Sequence, residues 1–268
     1  MKKLEEFEII DIHNHVFPEK IAMRAASNIR DYYKLPMEGD GTLATMKRLS
    51  GPLNIKKYVI CSAATHSDKV GVADDFIHNT VLSDDQLVGL GTTHADFKDF
   101  EREVERILEF GLRGIKIHSE FQGFAIDDPG LDSSYRLIEK YKLPVLFHLG
   151  DKTSDLSSAV RLRRVMDKYP DMIVIAAHMG GHVQKKAAEK YLVGQNVYFD
   201  NSEWQYTMTA QEMCDMTRRH GVDKVMFGSD YPLNTALTCA KRFYDAPFTD
   251  EEKELIFSKN AMKVFHID

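Results

Sequence analysis

The chain has 268 residues, 43% of them hydrophobic and 28% charged, a globular composition that excludes collagen, coiled coil and disorder. With 35 Lys+Arg against 41 Asp+Glu the net charge is −6, which argues against a nucleic-acid binder relying on phosphate neutralisation. Three widely spaced cysteines, Cys61, Cys214 and Cys239, with no C-x-x-C pair, argue against a disulfide framework and a thiolate zinc site.

Lys2 and Lys3 are followed by Leu4, Glu5 and Glu6 rather than by an apolar run, and no apolar stretch reaches the ~18 residues of a membrane span. The expectation is a cytoplasmic protein acting on a small molecule, without membrane or nucleic-acid partners. A homo-oligomer, with a dimer as the default, is expected from the habits of soluble enzymes.

Short apolar runs recur at Phe7–Ile12, Tyr58–Ser62, Leu87–Gly91, Gly114–Ile117, Pro144–Phe147, Met172–Ala177, Val197–Phe199 and Lys224–Phe227. They are rich in β-branched residues and nearly continuous, which suits strands covered on both faces. Segments of helical spacing separate them, as in Phe100, Val104, Ile107 and Leu108, or Ala159, Leu162 and Val165. Eight strand–helix units with right-handed crossovers predict an α/β fold, a (β/α)8 TIM barrel forming a single domain over residues 1–268. An open doubly wound sheet would carry a Gly-rich loop after its first strand, where this chain reads Asp11-Ile12-His13-Asn14-His15. Residues 16–41 form a long connection, with a helix expected over Ile21–Tyr32, placed to cover the barrel mouth. Residues 249–265 form a closing helix capped by Thr249, with Glu252 as its capping-box partner.

The C-terminal ends of barrel strands converge on one face, where active sites sit. His13 and His15 end the first strand, His118 the fourth, His148 the fifth, His178 the sixth and Asp230 the eighth. By strand alternation His13 and His15 share the inward side, with Asp11 in phase below them as a carboxylate to orient an imidazole or an interior polar network. Imidazoles with a carboxylate suit zinc or a similar divalent ion, with Mn, Fe and Co as alternatives. Lys116, in phase with His118, also points inward. It has three possible uses: an ion pair with Asp230 or another acid, a grip on a substrate carboxylate, or a carbamate formed with CO₂ that bridges two metals. Arg24, Arg30 and Arg48 in or near the first connection are further candidates for holding a carboxylate. His118, Glu120, Phe121, Gln122 and Phe124 after the fourth strand, and Asp200 to Glu203 after the seventh, are candidate pocket residues. His78, His220 and His266 read as solvated.

Asp11-Ile12-His13-Asn14-His15, His148, Ala177-His178-Met179-Gly180-Gly181 and Phe227-Gly228-Ser229-Asp230-Tyr231-Pro232 together resemble the amidohydrolase superfamily. The likeness is to its amidohydrolase-related branch of metal-dependent TIM-barrel hydrolases and decarboxylases. It implies that His13, His15, His148 and Asp230 hold the metal. It gives His178 either a second metal or a catalytic, substrate-polarising role. Lys116 stands where two-metal members carry a carboxylated lysine, and one or two metals are both open. The main expectation is a hydrolase: a divalent metal lowers the pKa of bound water to roughly 7, Asp230 takes its proton, and an amide, lactone or ester is cleaved. The alternative is a non-oxidative decarboxylase or hydratase of a small aromatic or unsaturated carboxylic acid, and a second is a barrel that binds metal or ligand without turnover. In all three, His118, Arg24 and Gln122 are candidate substrate-binding residues.

Overall fold

The structure is a computed structural model describing residues 2–268. Its strands are β1 (Ile9–His15), β2 (Ile55–Cys61), β3 (Leu87–Gly89), β4 (Gly91–Thr92), β5 (Ile115–Ile117), β6 (Val145–Phe147), β7 (Val174–Ala176), β8 (Tyr198–Asp200) and β9 (Val225–Met226). All neighbouring pairs are parallel. β3 and β4 are one barrel strand broken at Leu90, whose N–H donates to Ile60 of β2, while Gly91 N–H donates to Gly114 on the other side. The ring closes above β9: Ile12 N–H donates to the Phe227 carbonyl, Asp230 N–H to His13 at 2.9 Å and His15 N–H to Tyr231 at 2.7 Å. The eight-stranded TIM barrel expected from the sequence is therefore present as a single domain.

Two apolar layers hold it. Outside the strands, Ile60, Ile115, Ile117, Phe147 and Phe199 pack on the surrounding helices. Inside, Ile10, Ile12, Val59, Val88, Leu90, Leu146, Ile175 and Met226 fill the lower barrel, and Ala261, Val264 and Phe265 of the C-terminal segment plug its base. Burying side chains of this size contributes about 1.5–3 kcal/mol each. The lower half is thus dry and rigid, and polar chemistry is confined to the mouth.

β1 departs from plain alternation. Asp11 pairs with Tyr58 and Asn14 with Ile60, so Ile12 and His13 together oppose Val59. This β-bulge lets Ile10 and Ile12 stay in the apolar interior while His13 and His15 line the mouth above them. It also sends Asp11 to the outer side, where its carboxylate accepts from Ser229 N–H (2.9 Å), Ser229 Oγ (2.6 Å) and His13 N–H (3.3 Å). The expected phasing of Asp11 with the two histidines is corrected: it touches no imidazole ring and instead anchors the backbone just before Asp230.

The long connection carries a helix at Glu19–Tyr33 and is pinned to the mouth by Tyr231, whose hydroxyl accepts from Gly41 N–H and donates to the Thr42 carbonyl. At the other end of the chain Thr249 and Glu252 form the expected capping box, a device of about 1 kcal/mol. The closing segment is helical from Asp250 to Phe265, with a π turn at Leu255–Lys259. All three cysteines are free and buried. No helix of the described residues is long and apolar enough to cross a membrane.

Candidate metal centre and active site

At the top of β1 and β9, His13 Nε2 lies 3.2 Å from His15 Nε2, and Asp230 Oδ1 lies 3.2 Å and 3.5 Å from these two nitrogens. Ligands bound at 2.0–2.2 Å to one divalent ion stand about 3–3.5 Å apart, so this donor set fits such an ion. His13 Nδ1 meets Asp200 Oδ2 at 2.8 Å. That pairing places the ring proton on Nδ1 and leaves the Nε2 lone pair free, as a carboxylate behind a metal-binding histidine does. Asp200 Oδ1 also accepts from the backbone N–H of His178 and Ser202, both at 3.0 Å, and from the Ser202 hydroxyl. Burial alone would raise the Asp200 carboxyl, but His13, His178 and Ser202 hold it below its ordinary range.

Four residues here adopt left-handed backbone: His178 (φ 59°), Met179 (φ 55°), Glu203 (φ 60°) and Asp230 (φ 59°). Such conformations cost of order 1–3 kcal/mol each and persist only when neighbours fix them. Asp200 does so at His178, and Asp11 does so through Ser229 at Asp230. Burial, with Glu203 nearby, pushes the Asp230 carboxyl well above its usual pKa. Burial likewise keeps His15, His118, His148 and His178 well below theirs, so these rings are neutral and available as ligands or hydrogen-bonding groups.

Lys116 is fully buried and points inward as expected, with Nζ 2.9 Å from His13 Nε2. Among the described residues it forms no ion pair with Asp230 or another acid, and burial lowers its pKa. The opposite wall is formed by His118 and His148, whose rings are parallel (6°) with centroids 4.0 Å apart. His148 Nδ1 meets His178 Nε2 at 3.0 Å, and its Nε2 meets the Tyr33 hydroxyl and the Gly150 carbonyl, both at 3.1 Å. His148 therefore does not join His13, His15 and Asp230 in one donor group. It is held with His178, whose Nδ1 meets Ser202 Oγ at 2.8 Å. Glu120 Oε2 approaches His118 Nδ1 (3.8 Å) and His148 Nε2 (3.9 Å). The stacked rings cannot both aim in-plane lone pairs at a common ion, so this second cluster is not a metal site as folded.

Two expected substrate contacts are corrected. Arg24 lies on the exposed face of its helix while Ala25, Asn28, Ile29 and Tyr33 of that helix line the cleft. Arg30 and Arg48 are also exposed. Gln122 is buried and spent on structure: its carbonyl accepts from His118 N–H, and its amide donates to Ala64 and Thr93 carbonyls. His118 does line the cleft. His220, expected in solvent, is buried, stacked on Phe199 (3.9 Å, 7°) and hydrogen-bonded to the Val197 carbonyl. Tyr33 was not foreseen. It is the last residue of the covering helix, and its only sequence signal is an aromatic at the end of that amphipathic segment.

The cleft holds about 770 Å³ of empty space, open solvent at its mouth included. His15, Asp230, His118, His148 and Glu203 supply its polar floor, and Phe17, Ile29, Tyr33, Phe121, Pro232 and Leu233 its apolar walls. Tyr33 and Phe121 meet edge to face at 6.0 Å.

A family model described as amidohydrolase matches residues 10–267. No curated protein sequence matches the chain. Among solved structures, 5-carboxyvanillate decarboxylase from Sphingomonas paucimobilis superposes with a TM-score of 0.75 at 16% identity, covering 98% of this chain and 100% of that one. Dihydroxybenzoic acid decarboxylase from a Polaromonas species, with bound manganese and the inhibitor 2-nitroresorcinol, gives 0.75 at 17% identity, covering 97% of each chain. 2,6-Dihydroxybenzoate decarboxylase from Rhizobium gives 0.71 at 16%, covering 98% of this chain and 99% of that one. At these identities the likeness establishes the shared barrel fold.

Proposed function

We propose that the chain, which belongs to the amidohydrolase family, is a metal-dependent, non-oxidative decarboxylase of a small aromatic carboxylic acid. The observation that carries this reading is the aromatic-walled cleft ending on the His13–His15–Asp230 group. A flat ring fits between Phe121, Tyr33 and Leu233 with its carboxylate directed at that group. The aromatic acids named for three structural neighbours support the same choice over hydrolysis.

His13, His15 and Asp230 would hold the ion, with His148 and His178 adjoining. A divalent ion bound there supplies a Lewis acid that fixes and polarises a substrate carboxylate. Manganese and zinc both suit imidazole–carboxylate donors. Asp200 fixes the His13 tautomer. Asp230, at the junction of donor group and cleft, would offer Oδ1 to the ion and pass a proton from its other oxygen to the ring carbon. The bond from that carbon to the carboxylate breaks, its electron pair becomes the new C–H bond, and CO₂ leaves. The apolar walls exclude water and disfavour the charged ground state relative to neutral CO₂. His178 orients the substrate carboxylate from the neighbouring wall, and His118 lines the ring slot.

The test is to load the protein with Mn²⁺ or Zn²⁺ and incubate it with hydroxybenzoates. Release of CO₂ that stops on chelation is expected. Acid release from esters, lactones or amides without CO₂ would return the site to metal-dependent hydrolysis, with Asp230 as base. Retained binding without turnover of either kind would make the barrel a binding protein.

A further inference from the structure

Glu203 has no part in the proton and metal chemistry above, yet it stands in the cleft wall. It follows β8 in left-handed backbone and is 4% exposed. Its Oε2 lies 2.7 Å from His182 Nδ1 and 3.4 Å from His178 Nδ1, close approaches that lack hydrogen-bond geometry at His182. No hydrogen bond to Oε1 occurs among the described residues, and the side chain lines the cleft. The ionisable groups lining that cleft are the carboxylates of Glu203 and Asp230, the rings of His15, His118 and His148, and the Tyr33 phenol. The described lining includes no lysine or arginine, and Lys116 lies beneath the floor against His13.

From this charge layout we infer that Glu203 sets substrate class: the cleft takes an aromatic acid with one carboxylate and a hydrogen-bond donor, a hydroxyl or amino group, directed at Glu203. It rejects acids with a second carboxylate. One negative charge is matched at the floor by the bound ion; a second would lie against a fixed carboxylate in a site of low dielectric, with no cation to meet it. A donor on the ring satisfies the free oxygen of Glu203, and a ring lacking one leaves that oxygen desolvated and unpaired.

This inference rests on the aromatic-acid reading above, and binding separates the two. Dissociation constants are measured by titration calorimetry on Mn²⁺-loaded protein. The ligands are the ortho, meta and para hydroxybenzoates, the matching benzenedicarboxylates and benzoate. The best hydroxybenzoate is expected to bind about tenfold or more tighter than any dicarboxylate, and tighter than benzoate. In Glu203→Gln the dicarboxylate gap is expected to narrow to within about threefold, because the amide keeps a hydrogen-bonding oxygen and loses the charge.

Equal affinities across the wild-type series would overturn the inference whether or not the variant folds. A gap unchanged in folded Glu203→Gln would overturn it as well. Selective binding without CO₂ release would uphold Glu203 as the selector and sink decarboxylation. No binding of any benzoate would sink both.

Discussion

On the side of the mouth built by β8, β9 and β1, two carboxylates are tied down from behind. Asp200 receives four hydrogen-bonding groups, Asp11 receives three, and both act on strained backbone that carries a site residue. On the side built by β5 and β6 the polar atoms are looser. His118 Nδ1 and Glu120 Oε2 are buried without hydrogen bonds, and both stacked imidazoles meet the Tyr33 hydroxyl of the covering helix, His148 also meeting His178 and the Gly150 carbonyl. The first wall has the preorganisation that fixed ligands require. The second keeps buried polar atoms without partners, which the proposed substrate's ring substituents could meet. Its Tyr33 contact also couples the state of that surface to the helix above it.

The largest effect that can break this contrast is loss of the ion. His13→Ala with His15→Ala should abolish metal retention while leaving cooperative unfolding, because the dry lower barrel is untouched. Elemental analysis finding a full metal complement would remove the first wall from metal binding. Next, Asp230→Asn should lower turnover by about 10²-fold or more with the fold intact, the usual scale for losing a positioned acid or base; near-normal rates would take Asp230 out of the proton transfer. Asp200→Asn sharpens the contrast, since it leaves every ligand in place but loosens the His13 tautomer. Its metal affinity, read by competition with a chelator, should fall about 10–100-fold.

Tyr33→Phe probes the second wall and should be milder. Substrate KM should rise about 2–10-fold, the worth of one hydrogen bond, with metal content unchanged. A loss of metal in this variant would erase the distinction between the walls.

The smallest effect is on stability and lies behind the fixed wall. His220 supports Phe199, the residue before Asp200, and burial holds its pKa down to about 4 from 6.5. Between these values the unfolded chain binds the extra proton, so stability should fall as pH drops through that window. His220→Gln should remove its one-proton share of the change, as measured by urea midpoints at intervals across it, the other buried histidines keeping theirs.

The fold was legible because each barrel strand is a short apolar run and each crossover carries a helical stripe, patterns set locally. Lys116 between Ile115 and Ile117 was legible for the same reason: a strand of strict alternation leaves one direction for the lysine. The bulge in β1 was not, since the extra residue is defined by the register against β2, which no spacing within β1 records. Asp11 was misplaced on that account. Arg24 and Gln122 failed for a related reason. A charge or amide near the mouth is easily found in sequence, but whether it faces the cleft depends on helix rotation and on which backbone groups nearby need a partner. Tyr33 lay hidden because an aromatic at a helix end looks the same whether it packs on a wall or reaches across the mouth to His148.

The bulge bears on how such a site is moved or edited. It works as a parity switch between two storeys of one strand, greasy below and imidazole-bearing above. Anyone grafting the His-x-His pair onto another barrel must transplant the extra residue and the Asp11–Ser229 latch with it. The Asp11–His15 segment, placed on a regular strand without the bulge, would turn the Asp11 carboxylate into the hydrocarbon interior. An insertion or deletion of one residue in this stretch is therefore a change of architecture, and screens limited to substitutions will not sample it.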